Sequence, residues 1–147
     1  MDKSAPSSYS SKKRAYDSWN NHGIKEGREY AILTNEISKA WSGMTTREYK
    51  NFKGLKKQNL RDNLSTTELI LNMLAETATK DITNVAHQQG LDENRKVAKR
   101  GGNVAKVARE TLENETGKPV ITPKNAIDMS KLIEEVINIS IDKENGE

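Results

Sequence analysis

Cysteine is missing from this 147-residue chain, phenylalanine occurs once and proline three times. Without cysteine there is no disulfide framework, no thiolate nucleophile and no cysteine-based zinc site. Long hydrophobic runs are missing too: no segment approaches the roughly 20 apolar residues that a membrane helix needs. The opening MDKSAPSSYSSKKR lacks the apolar core of a secretory signal, so a soluble, cytoplasmic protein without membrane contact is expected. Strong core formers are scarce as well. Ten Leu, eleven Ile, six Val and one Phe make up about 19% of the chain, close to the composition at which order fails. A net charge of only +3 speaks against full disorder. The expectation is a small helical core with frayed ends, completed by a partner or by self-association.

Charge is present in both signs but unevenly spread. Residues 1–64 hold 13 Lys/Arg against 7 Asp/Glu, a balance of +6, whereas residues 111–147 hold 4 against 8, a balance of −4. A basic front half suits a polyanionic partner, with the acidic end kept off it or imitating it. The plain alternative is ordinary solvated surface charge.

Periodicity and punctuation predict an all-α domain of five to six helices. The Ser- and Lys-rich stretch to Arg14 reads as a disordered tail, followed by a short helix around Tyr16 and Trp19 that Asn20–Gly23 stops. Tyr30, Leu33, Ile37 and Trp41 recur at helical spacing up to Ser42-Gly43, and Thr34 can cap the second part of that stretch. Thr45 with Glu48, and Ser65 with Glu68, are capping boxes. The first opens a helix to about Lys53 that buries Tyr49 and Phe52. The second opens a helix whose Leu69, Ile70, Met73, Leu74 and Thr77 are assigned to the core. Thr79 can cap a further short helix carrying Ile82, Val85 and Ala86, with Gly90 as its stop. The longest helical segment runs from Asp92 to Asn114, and Gly117-Lys118-Pro119 breaks it. Val120-Ile121 look extended, and a last helix near Asp128–Asn138 carries Leu132, Ile133, Val136 and Ile137. The expected division is a flexible basic tail over 1–21, a helical domain over 22–127, and an amphipathic helix with an acidic tail over 128–147.

The search for catalytic chemistry is negative. His22 reads as a loop residue and His87 as a surface or half-buried one, and neither belongs to a metal-binding pair. Gly54-Leu55-Lys56-Lys57 does not complete a phosphate loop, and no carboxylate pair sits beside a base. No catalytic residue, metal or cofactor is therefore expected. The informative segment lies between Asp92 and Lys118. On a helix, at roughly 100° per residue, Arg95, Lys99, Gly102, Lys106 and Arg109 share one line, with Val97, Gly101, Val104, Ala108 and Leu112 opposite. Two glycines in mid-helix cost up to about 2 kcal/mol in propensity, so they need a reason. Gly101 would admit a neighbouring helix, and Gly102 would admit a phosphate between Lys99 and Lys106. Alternatively the pair marks a kink or a break, with a second helix starting at Asn103. A second cationic cluster comprises Arg47, Lys50, Lys53, Lys56, Lys57 and Arg61 against Glu48. The stretch TNEISKAWSGMTTREYKNFKGL also has a helix-turn-helix outline, with Thr45–Phe52 in the recognition position, although any short αα-hairpin with a Gly turn shares it.

Two blocks resemble the DNA-damage-inducible protein D family: GLKKQNLRDNLSTTELILNMLAE at Gly54–Glu76, and NVAHQQGLDENRKVAKRGGNVAKVARETLENETGKPVITPKNA at Asn84–Ala126. EYAILTNEISKAWSGMTTREYKNFKGL resembles the segment leading into them in prophage-associated members. The resemblance covers roughly residues 20–127. It implies a role in the bacterial DNA-damage (SOS) response or in mobile elements, with a link to RecA-class recombinase filaments and no established catalytic residues. Family members usually carry a preceding domain like the amino-terminal part of phage antirepressors, whereas about twenty residues precede the matching region here.

The functional expectation is a non-enzymatic regulator that binds single- or double-stranded DNA, or a recombinase–DNA filament. Arg95, Lys99, Arg100, Gly102, Lys106 and Arg109 would meet phosphates, helped by Lys53, Lys56, Lys57 and Arg61. No base-reading pair stands out, so little sequence preference is expected. The alternative is a protein-interaction module that antagonises a recombinase or repressor, with Glu134, Glu135, Asp142, Glu144 and Glu147 imitating phosphate. An inert helical remnant of a mobile element is the third reading.

Overall fold

The structure, a computed structural model, describes residues 8–145. Among them are six α-helices, a single 3-10 turn and no strand: α1 (Ser8–Asn21), α2 (Arg28–Ser42), α3 (Thr46–Phe52), the turn at Arg61–Asn63, α4 (Thr66–Ala86), α5 (Leu91–Thr116) and α6 (Ala126–Asn145). The all-α expectation holds. Both capping boxes form as read: Thr45 and Ser65 each accept from the amide three residues on, while Glu48 and Glu68 reach back to the cap amides. α2 ends where Gly43 adopts the left-handed conformation, its N–H donating to the Lys39 carbonyl. α2 is continuous from Arg28, so Thr34 caps nothing.

The body is a layer of α1, α2, α4 and α5, in which α5 packs on both α2 and α4, and α1 covers α4. The buried cluster leans on aromatics from the first half of the chain, with Trp19, Tyr30, Trp41 and Tyr49 joined by Leu33, Ile37, Leu71 and small residues of α4 and α5. Tyr16, Trp19 and Tyr30 pack as tilted rings with 4.8–5.6 Å between centroids.

Several expectations give way. The tail expected up to Arg14 is helical from Ser8 on, and residues 1–7 lie outside the described residues. α1 is tied to α4 by Ser11 Oγ donating to Glu76 (2.8 Å) and Ser18 Oγ donating to Asn84 (2.7 Å). No helix starts at Thr79. α4 runs unbroken to Ala86, where His87 rather than Gly90 adopts the left-handed cap. The core face of α4 is also turned from the one read in the sequence. Glu68, Leu71, Ala75, Glu76, Thr79 and Thr83 are buried, while Ile70 and Leu74 are exposed. The two threonines can be buried because each hydroxyl donates to the carbonyl four residues back. Phe52 is exposed, and His22 is buried against His87, with 3.5 Å between Nε2 and Nδ1.

Candidate nucleic-acid interface

α5 is one unbroken helix of 26 residues, so Gly101-Gly102 mark neither a kink nor a break. They are contact points. A Cβ on Gly101 would stand 2.6 Å from the Cα of Thr79 on α4, and one on Gly102 would stand 2.5 Å from the Cβ of Ala40 on α2. The close approach expected at Gly101 is therefore present. Gly102 corrects the phosphate reading: it is buried against α2, and the Ile37 carbonyl would stand 2.8 Å from its Cβ. The buried stripe of α5 is Asn94, Val97, Ala98, Gly101, Gly102 and Ala105. It is turned toward the basic side, which leaves Val104 and Leu112 exposed.

That turn sorts the ten expected binding residues. Arg95, Lys99, Arg100 and Lys106 remain on the outward half of α5. Arg95 grips Glu36 of α2 through Nη2 (2.7 Å) and Nε (3.1 Å), and Lys99 lies 3.9 Å from the same carboxylate. Lys106 lies 3.9 Å from Glu110 on its own helix. Arg100 makes no ion pair among the described residues. Arg109 turns inward: its Nε is buried with no hydrogen-bond partner among the described residues, and its charge opposes the upward shift of the Tyr49 phenol.

The second cluster divides further. Lys56 and Lys57 are exposed in the loop after α3. Lys53 is sealed from water, its Nζ donating at 2.6 Å to Glu68 Oε1 and at 2.6 Å to the Lys124 carbonyl. Arg61 forks onto Glu76 through two bonds (3.2 and 2.6 Å) and lies over the Tyr9 ring. Lys53 and Arg61 are thus internal ties rather than phosphate contacts, since an ion released from a buried pair strands its partner. The Thr34–Leu55 hairpin is present as α2 and α3, with Tyr49 of α3 pointing into the core.

The buried group around Lys53 also places the last helix. Tyr49 donates to Glu68 Oε2, and the Asn125 amide donates to the Lys53 carbonyl. Asn125 Oδ1 in turn accepts from the Asp128 amide (2.9 Å), opening α6. From there α6 touches only the Arg61–Asn63 turn to any extent. Leu132, Ile133, Val136 and Ile137 are all half exposed. Glu134 and Glu135 are exposed beside them. The side chains of Asp142 and Glu144, and all of Glu147, lie outside the described residues.

Helix α1 brings one feature that sequence reasoning missed. A crevice of about 240 Å³ opens between α1, α2, α3 and α4, lined among others by Tyr9, Tyr16, Trp19, Arg61, Asn72 and Glu76. The signal was the spacing of Ser11, Ala15, Ser18, Trp19 and His22, one face of a helix made mostly of small and polar residues. Among the described residues no three His, Asp or Glu side chains converge as metal ligands, and no helix is long and apolar enough to cross a membrane.

A family model, the DinD C-terminal domain, matches residues 9–136, from the first turn of α1 to the middle of α6. The chain belongs to the DinD C-terminal domain family. Membership connects it with DNA-damage-related functions, and the match takes in α1 as part of the DinD domain. No curated protein and no solved structure matches the chain.

Proposed function

We propose that this DinD domain is a non-enzymatic component of the DNA-damage response that binds DNA, or a recombinase–DNA filament, through the outward cations of α5. The observation that carries the reading is the row Arg95, Lys99 and Lys106 along one flank of an unbroken helix. At 1.5 Å per residue the row spans roughly 16 Å, enough to meet successive phosphates. Glu36 neutralises part of the row in the free protein, and phosphates would displace it. Lys56 and Lys57 supply further exposed charge.

The test is fluorescence anisotropy with short single- and double-stranded oligonucleotides over a salt series. Each phosphate contact contributes about −0.9 to the slope of log affinity against log salt on duplex DNA. The variant Lys106→Glu removes a cation whose one ion pair lies within α5, so its slope should be shallower by about one contact. A flat salt dependence in the unmodified chain would refute the reading.

A second reading is supported by α6, whose apolar residues beside Glu134 and Glu135 suit a protein partner. Truncation after Asp128 separates the two. DNA binding survives or strengthens under the first, and partner capture disappears under the second.

A further inference from the structure

Among the described residues, two apolar surfaces have no partner. One is α6, where Leu132, Ile133, Val136, Ile137, Ile139 and Ile141 are each between 47% and 57% exposed. At 100° per residue these six spread over roughly 200° of the helix surface. That is far wider than the a/d seam of a two-stranded coiled coil and suits a helix lying in a groove between two others.

The second surface runs along two helices packed side by side, α4 and α5. α4 and α5 are joined by the short 87–90 connection and cross where Thr79 meets Gly101, so they run antiparallel. Counting outward from that crossing, Leu74 and Ile70 of α4 come level with the Val104–Leu112 stretch of α5. Helical phase puts Leu74 and Ile70, with Val104 and Val107, on the flank away from α2. All four are exposed. Arg100, one turn before Val104 and without an ion pair among the described residues, borders the strip on the same flank. The cations Arg95, Lys99 and Lys106 lie on the opposite, α2-facing flank.

We propose that α6 of one chain lies on the α4–α5 strip of a second copy, so that two chains exchange their last helices. Charge points the same way: Glu134 and Glu135 border the apolar face of α6, and Arg100 borders the strip. Within one chain, the Lys53–Asn125 contacts hold the start of α6 at the Arg61–Asn63 turn, and the helix leaves the strip uncovered. A second copy supplies both missing surfaces at once, and a two-fold exchange closes without leaving either exposed. The α2-facing basic flank of α5 stays open in each chain, so the pairing does not depend on nucleic-acid binding.

Sedimentation equilibrium of the full chain tests the exchange. The unmodified chain should rise with concentration from 16.5 kDa toward twice that mass. Ile133→Glu/Ile137→Glu, on the helix, and Leu74→Glu/Val104→Glu, on the strip, should each remain monomeric. All four positions are exposed, and circular dichroism checks that the helices persist. An equimolar mixture of the two variants should pair again, because one intact α6 meets one intact strip. A chain that stays monomeric at its highest soluble concentration overturns the proposal. So does a strip variant that pairs like the unmodified chain, or a mixture that fails to pair.

Discussion

Lys53 and Glu68 face each other at 2.6 Å with neither side chain exposed to water. Around them the Tyr49 hydroxyl and the Ser65 amide also donate to Glu68, and the Lys124 carbonyl also accepts from Lys53. The pair therefore joins three parts of the chain: the end of α3, the start of α4 and the segment that launches α6. Glu68 serves twice, as the reaching half of a capping box and as the counter-ion of a buried ammonium.

Removing one member of such a pair leaves the other charge buried and uncompensated, at a cost of about 3–5 kcal/mol. Lys53→Met should lose stability on that scale in urea denaturation. Lys56→Met, three residues on and exposed, should change stability by no more than about 0.5 kcal/mol. Equal effects at the two positions would show that Lys53 is not held as the geometry has it.

The same two lysines show where sequence reading stops. In KNFKGLKK nothing local separates a cation that points in from one that points out. Lys53 is decided by Glu68, fifteen residues later. What was legible rests on short-range chemistry: the two capping boxes, the Tyr30–Trp41 stripe and the need for a close neighbour at Gly101. What was not legible rests on polar or small core faces. α1 buries Ser11, Ser18 and His22 beside Trp19, and α4 buries Thr79 and Thr83. Apolar periodicity therefore missed the first helix as a core element and turned the second by part of a turn. Gly102 was misplaced for the same reason, since helical phase alone put it among cations.

The glycine pair gives a prediction in which two effects compete. Alanine in mid-helix gains about 1 kcal/mol of propensity over glycine. At Gly101, however, the added methyl meets backbone atoms of Thr79 at 2.6 and 2.7 Å, and at Gly102 it meets Ala40 and the Ile37 carbonyl. Backbone cannot swing aside as a flexible side chain can, and overpacking costs about 1–3 kcal/mol. Both Gly101→Ala and Gly102→Ala should therefore lower the urea midpoint. Asn103→Ala, exposed on the same helix, should not.

Tyr49 carries a pH prediction. Burial first, then its hydrogen bond to Glu68 and that carboxylate's charge, push the phenol above its ordinary value of 10.0. A group whose folded value is raised contributes stability that is fully present below its unfolded value and is lost as pH rises toward the folded one. Stability should hold through neutral pH and fall progressively beyond about pH 10, with Tyr49 ionising only as the fold opens. Tyr49→Phe should cost about 1–3 kcal/mol at neutral pH, by leaving a buried carboxylate oxygen unsatisfied, and should flatten the alkaline fall. Urea midpoints for both proteins across the alkaline range provide the check.

Asn125 makes the last prediction local rather than global. Its amide donates to the Lys53 carbonyl and its Oδ1 accepts from the Asp128 amide, so one side chain both anchors and opens α6. Loss of an N-cap costs about 1 kcal/mol. Because α6 shares few contacts with the body, that cost should fall on α6 more than on the whole fold. In Asn125→Ala, hydrogen exchange should quicken across 126–145 while the amides of α2 and α5 stay as protected as before. Asn125→Ser keeps a capping oxygen and should restore most of the protection. Uniform loss of protection through α2 and α5 would instead make Asn125 a support of the whole core.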